Sequence, residues 1–465
     1  MKKILLLIIT IINLTLLASC FNNEKIEITI GMWPESSSTN SVAMFNTWAA
    51  NFTADYPEYK VIGEPFDYTK EAFVSKATAK NLPTVYQTWF TEPEEIVSGG
   101  HAKDITKIVK DLGWYDKMDP ELRNYLTFND KLYGIPRDGY GLGLIINLGV
   151  FEDAGLASDL DGDNIIDIVD PNNPSIKYYP TTMDELLEYS VRIKENTGEN
   201  GFIVLNADKN GGWQYSNIAW NFGAKLQVEE NGVWKSNLNS PQAVEAMQFL
   251  KNFYLEEVAP IGTQNYSSWK TLLGQNKIGM AICGNDVIND AVTSGGMAKE
   301  NLAFVPIPAG PNGIKKTLFG GTPYMFSAYA SDKAVEGAVK FLEYMGRSPE
   351  TSDISKQAML DGMNTATKQG MLILPSISPW INPDYVEYNN YLNGIYVNVS
   401  MPNFNDFYTN IQSSRMPEEP YLTQTMYKFL DEVVLGLQNP AYDIVSGLNS
   451  KNQAFENELR KYFGN

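Results

Sequence analysis

The stretch "KIEITIGMWPESSSTNSVAMFNTWAANFTADYPEYKVIGEPF", residues 25–66, decides the fold class. Its start alternates, with Ile26, Ile28 and Ile30 on one face, as a half-buried strand does. Capping residues then precede a helical stripe of Val42, Phe45, Trp48, Ala49 and Phe52, which stops before Pro57. "EYKVIGEPF" reads as a second strand, "TKEAFVSKATAK" (69–80) as a helix and "LPTVYQTWF" (82–90) as a buried third strand. Strands alternating with helices imply a parallel sheet with helices on its faces.

The same chemistry continues outward. "NDKLYGIPRDGYGLGLIIN" (129–147) reads as paired strands joined at a Pro/Gly turn. "TMDELLEYSVRIKENTG" (182–198) predicts a helix with Met183, Leu186, Leu187 and Val191 inward and Gly198 closing it. "SPQAVEAMQFLKNFYLEEV" starts a helix at its cap Ser240, with Pro241 in the first turn. "NKIGMAICGN" and "ENLAFVPIPAG" are short buried strands, and Cys283 in the first is expected to be a small core residue. A glycine turn, a strand and a helix follow at 319–346, and the tail from about 420 is largely helical. There is no internal repeat and no low-complexity linker.

The first twenty residues set the compartment. Lys2 and Lys3 precede the apolar run "ILLLIITIINLTLL", and "LASC" ends at Cys20, the layout of a cleavable secretory signal. A retained membrane anchor is the alternative, but the run is shorter than the ~20 residues that span a bilayer. Either way the folded body lies outside the cytoplasm. The formal charge of −19 becomes −21 without Lys2 and Lys3, which argues against nucleic acid, whose phosphates need a basic face. Aromatic residues make up 12% of the chain, with nine tryptophans and 26 tyrosines, a surplus that suggests rings for a ligand.

The ordered set "KIEITIGMWP", "LPTVYQTWF…GGHAKDIT", "KLYGIPRDGYGLGLIINLGVFEDAGL", "PTTMDELLEYSVRIKENTGENGF", "SPQAVEAMQFLKNFY", "SSWKTLLGQNKIGMAICG" and "FVPIPAGPNG…FGGTPYMFS" resembles family 1 of the extracellular solute-binding proteins of ABC transporters, the maltose-binding type. The resemblance covers most of the chain after the signal. It implies an α/β fold of two lobes (type II-like), each a mainly parallel sheet flanked by helices, closing on a ligand in a cleft between them. The expected division is 1–20 signal, 25–145 and 303–350 N-terminal lobe, 146–302 and 351–465 C-terminal lobe. The "LASC" run resembles a lipoprotein lipobox, so Cys20 would carry lipid (palmitate) and anchor the protein to the membrane. A separate permease and ATPase are implied partners, and the chain has no "GxxxxGK[ST]" phosphate loop of its own. A monomer is expected.

"DLDGDNIIDIVD" (159–170) puts aspartates at places 1, 3, 5, 9 and 12 of a twelve-residue window. Calcium takes six to eight oxygens from such loops. The expected ligands are Asp159, Asp161, Asp163, the Ile165 carbonyl, Asp167 and Asp170, with Asn164 in the left-handed place usually held by glycine. Asp170 is shorter than the usual Glu, and Pro171 prevents an exiting helix, so the loop is EF-hand-like without the helices. A metal there would brace the second lobe. The bland alternative is an acidic surface loop that binds nothing.

A sugar presents flat C–H faces to aromatic rings and hydroxyls to carboxylates, amides and backbone. The candidates are Trp33 after the first strand, Trp89 after the third, and Arg137, Asp138 and Tyr140 of "IPRDGYG". Trp213, Trp269, Asn285, Asp286, Gly320, Gly321 and Trp380 complete the set. Trp48, Trp220 and Trp234 read as packing. Glu92, Glu94 and Glu95 suggest a glycosidase pair, yet acids at a helix start also simply complement its dipole. The single histidine, His101, leaves few hydrolytic constellations. The reading is a lipid-anchored carbohydrate receptor that is not an enzyme. A receptor for a peptide or other polar solute, a sensor and, less favoured, an exported glycan-active enzyme are the rivals.

Overall fold

The computed structural model describes residues 24–464, so the signal segment and the Cys20 lipidation site lie outside the described residues. Two compact units share the chain. The first comprises the chain up to Trp89, Glu95–Ile135 and Pro323–Gly362; the second comprises Phe90–Glu94, Pro136–Thr322 and everything from Met363 on.

In the first unit a five-stranded sheet runs in the order Tyr59–Gly63, Ile26–Ile30, Val85–Gln87, Pro323–Phe326, Gly134–Pro136. The first two strands pair in parallel, with Ile28 opposite Val61, and Val85–Gln87 joins Ile26–Ile30 in parallel through Ile30. The strand Pro323–Phe326 returns antiparallel, Met325 opposite Tyr86. The helix Thr39–Asp55 turns Trp48 and Phe52 inward. The Phe52 ring meets Tyr59 at 5.6 Å, Phe341 at 5.4 Å and Tyr344 at 5.2 Å. The last two rings come from the helix Asp332–Tyr344, capped by Ser331 Oγ, which accepts from the Ala334 amide at 3.1 Å. Burying several large rings supplies this unit's main stabilisation, at about 25 cal/mol per Å² of apolar surface.

The second unit is built on the strand Tyr140–Asn147, whose last seven residues are all buried. Three neighbours run against it: Ile278–Gly284, Leu302–Pro306 and Thr317–Gly320. Asn200–Phe202 joins Ile278–Gly284 in parallel, and Arg415–Met416 joins Thr317–Gly320 in parallel. The sheet is therefore mixed rather than mainly parallel. The expected hairpin at 129–147 is not formed, since Gly134–Pro136 belongs to the first sheet and Tyr140–Asn147 to the second. Arg137, Asp138 and Gly139 make the passage, and only a local two-stranded ladder, Thr127–Phe128 with Lys131–Leu132, precedes it. The strand 140–147, which the sequence reading divides at residue 145, thus lies wholly in the second unit, because all its ladder partners are there.

Helices of this unit follow their local signals. Thr182 and Glu185 form a capping box on Met183–Thr197, and Gly198 ends it at φ 78°. Ser240 Oγ accepts from the Ala243 amide to start Pro241–Leu255. Cys283 is buried and free in its strand. Among the described residues, no helix is long and apolar enough to cross a membrane.

Candidate functional site

The aspartate loop folds as a chain of side-chain-to-backbone turns. Asp159 accepts from the Gly162 amide at 2.7 Å and the Asn164 amide at 3.0 Å. Asp161 accepts from Asp163, and Asp163 from Ile165. Asn164 takes the left-handed conformation expected of it, at φ 66°. Asp159, Asp161 and Asp167 each bring a carboxylate oxygen within 4.8 Å of the others. Asp163 is not part of that triplet, and Asp170 instead accepts from the Asn172 and Asn173 amides in a turn of its own. Amide donors hold the Asp159 carboxyl below its ordinary value. Burial, together with the charges of Asp161, Asp163 and Asp159, pushes Asp167 up. Three oxygens with unmet mutual repulsion suit a hard cation. Asn403 ties the loop down: its amide donates to the Ile166 carbonyl at 2.8 Å and its oxygen accepts from the Ile168 amide at 3.2 Å.

A second constellation lies on the second unit, at the ends of Tyr140–Asn147, Ile278–Gly284 and Thr317–Gly320. Asp138 Oδ2 accepts from Arg137 Nε at 2.7 Å and Nη2 at 2.6 Å, while its Oδ1 is enclosed without a partner. Gly321 makes room for this turn, because a Cβ there would stand 1.9 Å from the Asp138 carbonyl oxygen. A Cβ on Gly320 would meet the Phe90 ring at 2.7 Å, and Phe90 in turn packs on Tyr140 with centroids 5.6 Å apart. Asn285 is buried, and its oxygen accepts from the Gly141 amide at 2.9 Å. Asp286 beside it is exposed. Desolvation nevertheless raises Asp286 to about 6, with Asp138 adding to the rise and Arg137 opposing it.

Aromatic rings continue this surface. Tyr266 meets Trp213 and Trp269, each at 5.7 Å and edge-on. Burial first, then Asp286, Glu418, Tyr266 and Asp138, raise the Tyr140 phenol well above its usual range. Tyr140, Tyr266 and Glu418 keep part of their surface open to solvent while their ionised forms are strongly disfavoured. Polar groups that are open yet desolvated belong to a recessed surface rather than a core. Such a surface can stack rings and accept hydroxyl hydrogens, and the Arg137 guanidinium is already engaged by Asp138.

The other candidates divide by exposure. Trp89 is 46% exposed in the first unit, with the edge of Tyr68 at 5.3 Å. Trp33 is half-buried, lying over Gly63 and edge-on to Phe45 at 5.2 Å. Trp213 is half-buried. Trp269 and Trp380 present no face at all, being 0% and 1% exposed. Trp269 projects from the inner side of Tyr266–Gly274 together with Leu273, so it backs Tyr266 instead of meeting a solute. Trp48, on its helical stripe, and Trp220 are core, and Trp234 packs on Tyr421. Glu92 is buried immediately before the short helix Pro93–Ser98, whose first turn holds Glu94 and Glu95. Sequence reasoning missed Tyr266, Glu418 and Tyr427. Only the "EEP" pair at 418–420 hints at them, and nothing local separates its two glutamates.

The family model for bacterial extracellular solute-binding proteins matches residues 36–351. No curated protein matches the chain. Among solved structures, the GacH receptor of Streptomyces glaucescens GLA.O, determined unliganded and with acarbose and an acarbose homolog, superposes with a TM-score of 0.67 at 17% identity, over 94% of this chain and 99% of that one. The cyclic alpha-maltosyl-1,6-maltose binding protein of Arthrobacter globiformis gives 0.66 at 16% identity, over 94% and 100%. An ABC transporter solute-binding protein from Thermotoga lettingae TMO, bound with alpha-D-tagatose, gives 0.67 at 17%, over 94% and 100%. At these identities the likeness is one of fold.

Proposed function

Because the chain belongs to the bacterial extracellular solute-binding proteins, a family of receptors rather than catalysts, we propose that it is the carbohydrate receptor of an ABC importer. It takes a sugar or oligosaccharide and hands it to a permease served by a separate ATPase. The observation that carries this reading is the open but desolvated surface of Tyr140, Tyr266, Asp286 and Glu418 beside Trp213. Rings beside acceptors suit a hydroxyl-rich neutral ligand, and pre-fixed groups reduce the ordering cost of binding. The three solved relatives named above, bound to acarbose, named for a cyclic maltosyl-maltose or bound to tagatose, support the same ligand class.

Arg137, Asp138, Tyr140, Asn285 and Asp286 form the polar part of the proposed site, with Gly320 and Gly321 allowing its close packing. Trp213 offers a ring, while Trp269 backs Tyr266. Lipidation at Cys20 anchors the receptor outside the cytoplasmic membrane. In the loop 159–170, Asp159, Asp161 and Asp167 hold a calcium ion that braces the second unit and takes no part in solute binding.

Thermal melting of the signal-free protein against an oligosaccharide panel, with calcium and with chelator, tests these statements. A ligand at a hundredfold excess over Kd stabilises by about 2.7 kcal/mol. A shift from one glycan series, recovered intact, is expected. Calcium is expected to raise Tm without altering glycan affinity. Silence across the sugars with a response to peptides, or recovery of a cleaved glycan, would sink the carbohydrate-receptor reading.

A further inference from the structure

Five asparagines stand directly before a glycine: Asn200, Asn210, Asn231, Asn312 and Asn393. In such a pair the glycine amide nitrogen can attack the asparagine carboxamide carbon, because no Cβ shields it. A bond forms from that nitrogen to Cγ, the bond from Cγ to Nδ2 breaks, ammonia leaves, and the amide proton passes to a base in solvent. Water then opens the cyclic imide to aspartate or to its β-linked isomer. Nothing but water is consumed. The reaction needs a carboxamide free to turn, an amide released from any carbonyl, and solvent at both. The fold meets these needs very unequally.

At Asn200 the Gly201 amide donates to the Val258 carbonyl at 2.9 Å, and the glycine is buried against Ser190. At Asn210 the carboxamide oxygen accepts from the Tyr266 amide at 2.8 Å, and Gly211 is buried in the first turn of Asn210–Asn221. Asn393 and Gly394 lie inside the helix Pro383–Tyr396, with Asn393 Oδ1 enclosed. Asn312 and Gly313 are exposed, but the Gly313 amide donates to the Gly310 carbonyl at 2.9 Å and must give up that bond to react. Asn231 and Gly232 differ from all of these. They form the turn between the antiparallel strands Gln227–Glu230 and Val233–Ser236, with Val233 opposite Glu230. Both are exposed, and both are left-handed, at φ 55° and 78°, as a two-residue type I′ turn requires. Among the described residues, neither the Asn231 carboxamide nor the Gly232 amide has a hydrogen-bond partner. A Cβ on Gly232 would meet nothing within 4 Å, so solvent reaches the attacking nitrogen.

We infer that Asn231 is the chain's site of spontaneous deamidation, a modification that the fold directs to one hairpin tip while shielding the other Asn-Gly pairs. This stands apart from the carbohydrate-receptor reading and does not depend on it. It also has a structural consequence, because the hairpin is a brace. The Leu226 and Gln227 amides donate to Glu419 at 3.2 and 3.1 Å, Gln227 Nε2 donates to the Tyr421 carbonyl at 2.7 Å, and Trp234 packs on Tyr421 at 5.5 Å. The β-linked product adds a carbon to the backbone of the turn, and the length of a hairpin turn sets the register of its strands. The ladder at Val233 and Glu230 therefore slackens, and a new carboxylate stands beside Glu230.

The signal-free protein, folded or unfolded in urea, is aged in mildly alkaline heavy-oxygen water and its peptides are mapped by mass spectrometry. Water enters the product, so each converted asparagine takes up label. In urea the Asn-Gly pairs are expected to react at comparable rates. In the folded protein Asn231 is expected to outpace each of the others at least about tenfold, because those must first open locally. Asn231→Gly keeps a turn that Gly-Gly suits and removes the reacting group, so its hairpin peptide is expected to stay unlabelled. Aged wild-type protein is expected to melt about 2 °C or more below fresh protein, and aged Asn231→Gly to melt as when fresh. Label arriving first at Asn312 or any other pair in the folded protein, or an Asn231 that folding slows about tenfold or more, would overturn the site. Equal melting of fresh and fully converted wild type would overturn the slackened ladder.

Discussion

Trp89 and Trp269 carry the same side chain and stand in opposite circumstances. Trp89 is 46% exposed with Tyr68 at its edge, whereas Trp269 is wholly enclosed. Trp89→Ala should therefore leave Tm within about a degree in a thermal melt, since truncating an exposed side chain leaves no cavity. Trp269→Ala should cost about 3–5 kcal/mol of stability, read as a large fall in Tm, because a cavity replaces the ring. Asp286 and Glu418 make stability depend on pH. Each holds its proton to a higher pH in the folded chain than in the unfolded one, so between the ordinary carboxylate values and about 6 for Asp286 and about 8 for Glu418 the folded state binds more protons. Their stabilisation is thus fully present below the ordinary carboxylate range and is lost as pH rises through those values. Asp286→Asn, permanently neutral, should raise Tm near neutrality by a few degrees, about 1 kcal/mol after discounting for its exposure, and change nothing at about pH 3. An equal shift at both pH values would refute the titration argument.

Elements differ in whether their ends are written locally. The helix Pro241–Leu255 has its cap beside it in Ser240, and Ser240→Ala should cost about 1 kcal/mol in chemical denaturation. The helix Asn210–Asn221 has no cap of its own, and Lys209 before it sits at φ 70°. Its first amides are taken instead by Asp431, which accepts from Gly212 at 2.8 Å and from Lys209 at 2.5 Å across more than two hundred residues of chain. Asp431→Ala should cost as much as Ser240→Ala or more, since it strands donors in a buried place. The aspartate loop is an element in the same sense. Asp159→Asn removes a member of the carboxylate triplet and should abolish a calcium-induced rise in Tm while glycan affinity stays put. A wild-type melting curve indifferent to calcium would leave the loop as a self-bonded surface turn.

For the whole molecule, the charge of −19 is spread over a surface whose proposed ligand is neutral, so glycan affinity should change less than about twofold between low and roughly 0.5 M salt. A steep salt dependence would indicate a charged solute. The sequence by itself determined the α/β class, the helices with local caps, the buried Cys283 strand and the left-handed Asn164, because periodicity, caps and turn residues act over a few positions. It also displayed the "PRDGYG" and "CGND" ends that meet on the second unit, since strand ends are where a sheet exposes side chains. Tertiary structure alone decided that Gly134–Pro136 and Tyr140–Asn147 enter different sheets, as ladder partners far along the chain, such as Met280 opposite Ile146 and Gly320 opposite Tyr140, choose a strand's sheet. It alone decided which tryptophans are enclosed and that Glu419 is fully bonded while Glu418 keeps an oxygen free. Burial and hydrogen-bond satisfaction depend on what remote segments bring alongside, and no local pattern records that.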